Sequence, residues 1–230
     1  MQKERTNFFA EMVEGFKAVT QNHAILILVI LISFVLFYTG LIQALFAPMV
    51  LSFTTPHIMG ILQSICAVGM LLTSVIIGTH KRKVKNVVVL AISLGLMGFF
   101  FMFIGIKPNV WSIILPGFLF FATLPYVNSS IDVLIRQNIS NEKQGRIWSL
   151  ISVITYFGAI VAYAVSGFLA DKVFNPLFML GGKLAGSLGA VFKVGQGRGI
   201  ACMFFLSGIF IMILSLYIFK SKLIRQLELK

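Results

Sequence analysis

Charged residues are scarce in this sequence. Asp, Glu, Lys and Arg make up only 11% of its 230 residues, whereas about 25% is usual in a soluble domain. Acidic residues are rarer than basic ones, with 7 Asp and Glu against 19 Lys and Arg. Hydrophobic residues reach 58%, which is more than a water-soluble domain of this length can bury. The sequence therefore excludes a soluble globular protein and predicts a surface that faces a lipid bilayer.

Cysteine and histidine are too rare and too scattered to build a chemical centre. Cys66 and Cys202 both fall within apolar runs, which is typical of small packing residues. His23, His57 and His80 lie near the ends of apolar runs, and no two of them have the spacing of metal ligands. The apolar runs also lack serine–histidine, paired-aspartate and histidine–glutamate arrangements. We therefore predict no metal, no cofactor and no enzymatic activity.

The sequence does contain six apolar runs of membrane-spanning length. A spanning helix needs about 20 predominantly apolar residues. The six runs cover residues 24–51, 57–78, 86–106, 111–134, 147–170 and 200–219. They predict an all-α membrane protein with one bundle of six transmembrane helices over residues 24–219, a linker before it at 1–23 and a tail after it at 220–230.

The basic residues alternate in density from one connection to the next. Residues 1–22, 80–86, 136–146 and 220–230 carry 14 Lys and Arg, and the remaining connections carry 5. The positive-inside rule places the richer set in the cytoplasm. We therefore predict a multi-pass protein of a bacterial cell membrane with both termini cytoplasmic. The net charge of +12 is then explained by contact with anionic lipid, and nucleic acid is not an expected partner.

Two segments outside the runs have a recognisable composition. Apolar residues recur near helical spacing between residues 5 and 22, with Glu11, Glu14 and Lys17 among them. This pattern predicts a short amphipathic helix on the cytoplasmic membrane surface, with a disordered arm as the alternative. The long connection at 171–199 is rich in glycine, but its order of residues does not match a phosphate-binding loop. We expect it to rest at the outer interface.

A line of polar side chains closes the fourth apolar run. Asn128, Asp132 and Arg136 are four residues apart, so they share one helical face, and Asp before Arg is the favourable order for a pair. Asp132 is the only acid within the six runs. Because a charge facing lipid is costly, this face is expected to look into the bundle or a water-filled cavity. Two roles stay open, namely a structural or gating pair near the headgroups, and contact with substrate or a proton.

Three stretches resemble a known family. They are EGFKAVTQNHAILIL at residues 14–28, NSSIDVLIRQNISNEKQGRIWSL at 128–150, and SGFLADKVFNPLFM at 166–179 followed by GQGRGIACMFFLSGIF at 195–210. They are similar, in order, to the linker and seventh span, the tenth span with its loop, and the eleventh and twelfth spans of macrolide-efflux-like permeases of the major facilitator superfamily. The resemblance covers nearly the whole chain but only the C-terminal half of the family's length.

The resemblance implies both a fold and a function. The six helices would form two three-helix inverted repeats. Gly40 and Pro48 would interrupt the first span along the transport path, and Pro116, Gly117 and Pro125 would interrupt the fourth. The alternative is that glycine and proline are simply common in membrane helices. The function implied is secondary active efflux, by alternating access and ion antiport, of hydrophobic or amphipathic compounds. The chain would then need a missing N-terminal half or a second copy as its partner. The alternative is a truncated or accessory membrane protein without transport activity.

The same resemblance assigns roles to individual residues. Gln43 and Tyr126 lie on the spans that would line the cavity, and with Asn128 and Asp132 they are the candidate substrate-contacting residues. The cytoplasmic loop after the fourth span would act as a gate, with the candidate gating residues Arg136, Gly145 and Arg146. Gln43 and Tyr126, like Tyr38, Gln63 and Tyr156, could equally join helices by hydrogen bonds.

Overall fold

The six apolar runs form six long helices. The structure is a computed structural model that describes residue 20 and residues 23–79, 84–139 and 141–228. These residues form helices, turns and irregular segments, with no β-strand among them. The long helices are α1 (His23–Leu51), α2 (Pro56–Thr79), α3 (Asn86–Phe103), α4 (Trp111–Asn138), α5 (Asn141–Phe168) and α6 (Arg198–Lys220). The amphipathic helix expected over residues 5–22 lies outside the described residues.

All six helices are long and apolar enough to cross a membrane, which confirms the all-α, six-span prediction. The end of α3 comes at Phe103 instead of residue 106. Ile104 has extended dihedral angles, with φ −64° and ψ 110°. Gly105 then has φ +76°, a left-handed conformation that glycine adopts easily. The backbone therefore leaves the helix while the sequence is still apolar.

Three helix pairs pack in a pattern that is unchanged when the first three helices are exchanged with the last three, although the extensive α3–α4 contact has only a weak counterpart between α1 and α6. Helix α1 packs on α5, α2 packs on α4, and α3 packs on α6. The exchange turns the α1–α5 pair into the α4–α2 pair and the α3–α6 pair into itself. This is the arrangement expected of two three-helix repeats. The α3–α6 contact is the most extensive in the described bundle.

Two glycines bring α3 and α6 into backbone contact. A Cβ atom on Gly98 would lie 2.7 Å from the carbonyl oxygen of Gly208, and one on Gly208 would lie 2.5 Å from that of Gly98. Close to this crossing, the Ser215 hydroxyl donates to the Ala91 carbonyl at 2.7 Å. Small residues at a crossing are typical of membrane helices, because lipid supplies no hydrophobic drive and close packing has to stabilise the pair.

The expected interruptions of α1 and α4 are absent. Helix α1 continues through Gly40 and Pro48, and α4 continues through both of its prolines. The glycines instead allow neighbouring helices to approach. A Cβ on Gly40 would lie 3.2 Å from the Ala162 Cβ, and one on Gly117 would lie 2.9 Å from the Cys66 sulfur. These positions therefore serve the α1–α5 and α2–α4 contacts.

The predicted gating loop is mostly helix. Arg136 lies within α4, and Gly145 and Arg146 lie within the first turns of α5. Ile139, with φ −123° and ψ 133°, ends α4, and α5 begins two residues later. The apolar runs mark where the membrane-facing parts end, but both helices continue through the polar residues beyond them. The assignment of these three residues to a loop was therefore wrong.

Helix α5 also extends beyond its expected end at residue 170. It passes into a π-helical segment, Leu169–Phe174, and then into a helical turn, Asn175–Phe178. A Cβ on Gly199 would lie 2.4–2.6 Å from the backbone of Phe174 and Asn175, so the first turn of α6 packs directly on this segment. The rest of the connection forms hydrogen-bonded turns, including one from Gly195 N–H to the Phe178 carbonyl at 3.0 Å.

Candidate functional site

Two cavities lie at different levels of the bundle. We call the end where α1, α3 and α5 begin the basic end, because the basic connections lie there, and the other end the opposite end. A cavity of about 200 Å³ lies between α1, α4 and α5 toward the basic end. A cavity of about 880 Å³ lies at the opposite end, where α1 and α5 finish and α6 starts. Two of the candidate site residues line the first cavity, and the hydrogen-bond partner of a third lines the second.

Asn128 and Asp132 both line the cavity toward the basic end. Asn128 is exposed and Asp132 is half-buried, and Trp148 and Ser152 of α5 line the same space. The structure thus places this part of the polar face in a recess between helices, as α4's four-residue spacing predicts. Trp148 also packs against the hydrophobic core, so it forms a wall of the cavity.

Arg136 lies one turn beyond Asp132 but does not form an ion pair with it. It is exposed, and no salt bridge within 4.0 Å joins the two side chains in the described range 84–139. The backbone carbonyl of Arg136 accepts a weak hydrogen bond from Gln144 Nε2 at 3.5 Å, which links α4 to the start of α5. The side chain of Arg146 lies outside the described part of the chain.

Tyr126 is not brought together with the other candidates. It is partly buried on α4 and lines neither of the two cavities. A helix turns by about 100° per residue, so Tyr126 points about 200° away from Asn128. Tyr126 therefore does not share a cavity with Asn128 in this bundle, and its role as a cavity residue stays a prediction.

Gln43 is held by a side chain that the sequence did not single out. Tyr163 of α5 donates a hydrogen bond from its hydroxyl to Gln43 Oε1 at 2.6 Å. Both side chains are exposed. Tyr163 also lines the larger cavity, together with Ala44 and Leu45. The pair therefore lies at the boundary of that cavity and joins the two helices that enclose it.

The π-helical segment adds polar groups to the larger cavity. Asp171 lies within it, Asn175 follows it directly, and both line the cavity with Ser52 and Gln196. The amide oxygen of Asn175 is buried and accepts no hydrogen bond from the described residues. π-Helical segments are uncommon and often occur at functional sites, because the wider turn redirects side chains. The larger cavity thus has an acid, two amides and two hydroxyls on largely apolar walls.

A polar stripe on α5 runs between the two cavities. Ser149, Ser152, Tyr156 and Tyr163 are separated by three, four and seven residues, so they share one face of the helix. All four are exposed in this bundle. Ser152 lines the cavity toward the basic end and Tyr163 lines the larger cavity. The stripe is visible in the sequence by its spacing, whereas Asp171 follows the apolar run and therefore looks like part of a loop.

The Gln43–Tyr163 hydrogen bond can be tested by one substitution. Tyr163→Phe should lower the free energy of unfolding by about 0.6 kcal/mol, which is typical of an interhelical hydrogen bond in a membrane protein. Tyr156→Phe is the matched control, because Tyr156 lies on the same stripe and is 73% exposed. Thermal unfolding in detergent would measure both. Equal shifts for the two variants would mean that the hydrogen bond does not stabilise the α1–α5 pair.

Six spanning helices, two cavities and an intervening polar stripe define this chain as a multi-pass all-α membrane protein. Within the described residues, no group of three or more His, Cys, Asp or Glu side chains could hold a metal ion. No protein-family model matches the sequence, and no solved structure matches it.

The chain is similar to macrolide efflux protein A of Streptococcus pyogenes. The two are 25% identical over 189 residues, which cover 77% of this chain and 45% of the relative. Macrolide efflux protein A from Streptococcus pyogenes serotype M6 matches with the same identity and coverage. The chain thus spans less than half the length of the curated relatives it matches.

Proposed function

We propose that this chain is one six-helix lobe of a secondary active exporter of hydrophobic or amphipathic compounds. It would work by alternating access against a second six-helix lobe, with ion antiport as the energy source. The second lobe would be either another part of a longer polypeptide or a second copy of this chain. Similarity to an efflux protein supports this class, and the polar stripe on α5 is the structural observation that carries the proposal.

The stripe is difficult to explain if α5 faces lipid. Polar side chains at membrane depth usually face a bundle interior or a water-filled cavity. The Ser149 and Tyr163 hydroxyls donate within the bundle, to the Gly145 carbonyl and to Gln43 Oε1, so it is the alignment of the stripe on an exposed helix face that points to a covered surface. Here four such side chains continue from one cavity to the other along an exposed helix face. A second lobe placed over this face would enclose a polar path between the two cavities. That path is what a transported molecule would follow.

Two helices, α2 and α5, are much less buried than the other four, which leaves surface for a second lobe to cover. Only 22% of the apolar window of α2 and 18% of that of α5 is buried, against 44–50% for the other four helices. Each of these two helices has one main packing partner, α4 for α2 and α1 for α5. The lobe therefore presents two helices whose outward faces a partner lobe would cover.

The walls beside the stripe favour an apolar or amphipathic cargo. A groove of about 460 Å³ lies between α1 and α5, and ten of its eleven lining residues are apolar or glycine, with Ser33 the exception. The larger cavity adds Asp171 and two amides to mainly apolar walls. A sugar or an amino acid would leave its polar groups unpaired in the groove. A largely hydrophobic compound with a few polar groups suits both surfaces.

Accumulation of a radiolabelled macrolide in cells tests this function. The chain would be expressed alone and together with a separately supplied N-terminal half of macrolide efflux protein A. The expected result is reduced accumulation in at least one case, reversed by an uncoupler that collapses the proton gradient. Accumulation equal to that of empty-vector cells in both cases, with the protein present in the membrane, would contradict the proposal and favour an accessory role.

Removing the charge of either Asp132 or Asp171 should reduce this efflux, whereas removing a neighbouring charge should not. Asp132→Asn and Asp171→Asn remove a charge from each cavity while keeping the size of the side chain, so efflux should fall in both. Lys172→Gln is the control, because Lys172 is exposed and adjoins Asp171 without lining the cavity. Normal efflux in both Asn variants would show that the cavities do not contact the cargo through these carboxylates.

A further inference from the structure

The last described residues fold back across the basic end of the bundle. Helix α6 ends at Lys220, and Ser221 turns the chain with extended dihedral angles, φ −69° and ψ 114°. A helical turn, Lys222–Arg225, and a 3₁₀ turn, Gln226–Glu228, follow. We call residues 221–228 the strap. It contacts α1 and α4 on its way across.

The strap is fixed near its start by two side chains. Ile224 is fully buried, with 0% of its surface exposed. Arg225 reaches back to α6, where its Nη2 donates to the Phe219 carbonyl at 2.6 Å and its guanidinium lies 5.4 Å from the Phe219 ring centre. Arg225 thus satisfies a carbonyl at the end of α6 that has no partner within the helix. The direction in which the strap leaves α6 is therefore determined by the structure.

The far end of the strap is bound to the beginning of α3. Both carboxylate oxygens of Glu228 accept backbone hydrogen bonds, one from Asn86 N–H and the other from Val87 N–H at 3.1 Å. Helix α3 has no cap of its own, because Lys85 at the N-cap position makes no side-chain hydrogen bond to it. A carboxylate is favoured there because the first N–H groups of a helix are free and carry partial positive charge. Glu228 supplies the cap from 142 residues away in the sequence.

We propose that the strap is a reversible link across the basic end, held closed by the Glu228 carboxylate at the start of α3. When Glu228 is bound to α3, the strap joins the ends of α3 and α6 and lies across α1 and α4. When the carboxylate leaves, the ends of α3 and α6 are no longer joined there. This inference concerns the conformation of the lobe and stands whether or not the chain transports.

The strap has the properties of a segment that opens locally. Among the described side chains of the strap, Ile224 is fully buried, whereas those of Lys222, Arg225 and Gln226 are exposed. Segments with few buried contacts open at a small fraction of the cost of global unfolding. The two charge-assisted hydrogen bonds of Glu228 therefore help to keep the far end of the strap in place.

Hydrogen exchange of the protein in lipid nanodiscs tests whether Glu228 holds the strap on α3. Glu228→Gln keeps the size of the side chain but removes its charge, so the amides of Asn86 and Val87 should exchange about tenfold faster, as loss of a charge-assisted hydrogen bond implies. Glu228→Asp keeps the charge on a shorter side chain and should also exchange faster. Gln226→Ala is the control, because Gln226 is an exposed residue of the same strap and should leave these amides unchanged.

Trypsin cleavage gives a second readout of the same opening. Release of Glu228 should speed cleavage after Arg225 in Glu228→Gln, without a change in the thermal unfolding midpoint of the bundle. Wild-type exchange and cleavage in both Glu228 variants would overturn the proposal. Equal acceleration in the Gln226→Ala control would also overturn it, because the strap would then depend on general packing. Efflux measured in parallel would separate this result from the proposed function.

Discussion

Gly208→Ala should destabilise the protein by about 3 kcal/mol, although alanine is the better helix former. The new Cβ would lie 2.5 Å from the Gly98 carbonyl oxygen and 2.7 Å from the Met102 backbone nitrogen. Backbone atoms cannot rotate away, so α3 and α6 would have to separate along their crossing. Overpacking typically costs about 1–3 kcal/mol, and this site belongs at the upper end because it is the most extensive helix contact described.

The same substitution at Gly60 is the matched control. Gly60 lies within α2, and a Cβ there would meet no atom within 4 Å. Gly60→Ala should therefore stabilise the protein slightly, by at most about 1 kcal/mol, through helix propensity alone. Unfolding of both variants in detergent, followed by circular dichroism, would measure the two free energies. Effects of the same sign and size would mean that the α3–α6 crossing tolerates a side chain and that its close approach is not important.

The contrast between these two glycines explains which parts of the fold the sequence could predict. Hydropathy alone located six helices, because each apolar run must be buried in lipid or in protein. It could not locate the crossings, because glycine occurs 20 times in the chain and its meaning depends on the opposing helix. Gly40 is an example, since it looked like a helix break but lies against Ala162 of α5.

The candidate site was predictable where one helix defines it. The spacing of Asn128 and Asp132 placed both on one face, and both line a cavity. The Gln43 partner Tyr163 lies 120 residues away, and no local pattern connects them. Asp171 was missed for another reason, because the π-helical segment continues α5 past the point where its apolar run ends. Local periodicity thus finds a polar face, but contacts between distant segments require the fold.

Arg198 joins three parts of the opposite end. It is 2% exposed at the first position of α6. Its Nη1 donates to the Gly105 carbonyl in the α3–α4 connection at 3.1 Å, and its guanidinium lies 5.2 Å from the centre of the Phe53 ring in the α1–α2 connection. Nη2 is buried and finds no hydrogen-bond acceptor among the described residues. The arginine thus stabilises the arrangement of these connections but bears part of the cost of burying a charge.

Arg198→Met should lower the free energy of unfolding by about 2–3 kcal/mol. The hydrogen bond from a charged donor contributes about 1.5–3 kcal/mol, and a desolvated cation–π contact adds up to about 2 kcal/mol. The loss should fall below their sum, because methionine also removes the unpaired Nη2 while keeping most of the apolar volume. Hydrogen exchange should increase at residues 104–110 and 52–55, where the two connections lose their common contact.

Arg225→Met provides a control with the same two kinds of contact. Arg225 also donates to a carbonyl and lies over a phenylalanine ring, but its side chain is exposed. Water competes for an exposed guanidinium, so this substitution should change the free energy of unfolding by no more than about 0.5 kcal/mol. Burial, and not the list of contacts, is the difference that the pair of variants measures. Equal losses for Arg198→Met and Arg225→Met would contradict the view that burial makes Arg198 important for the opposite end.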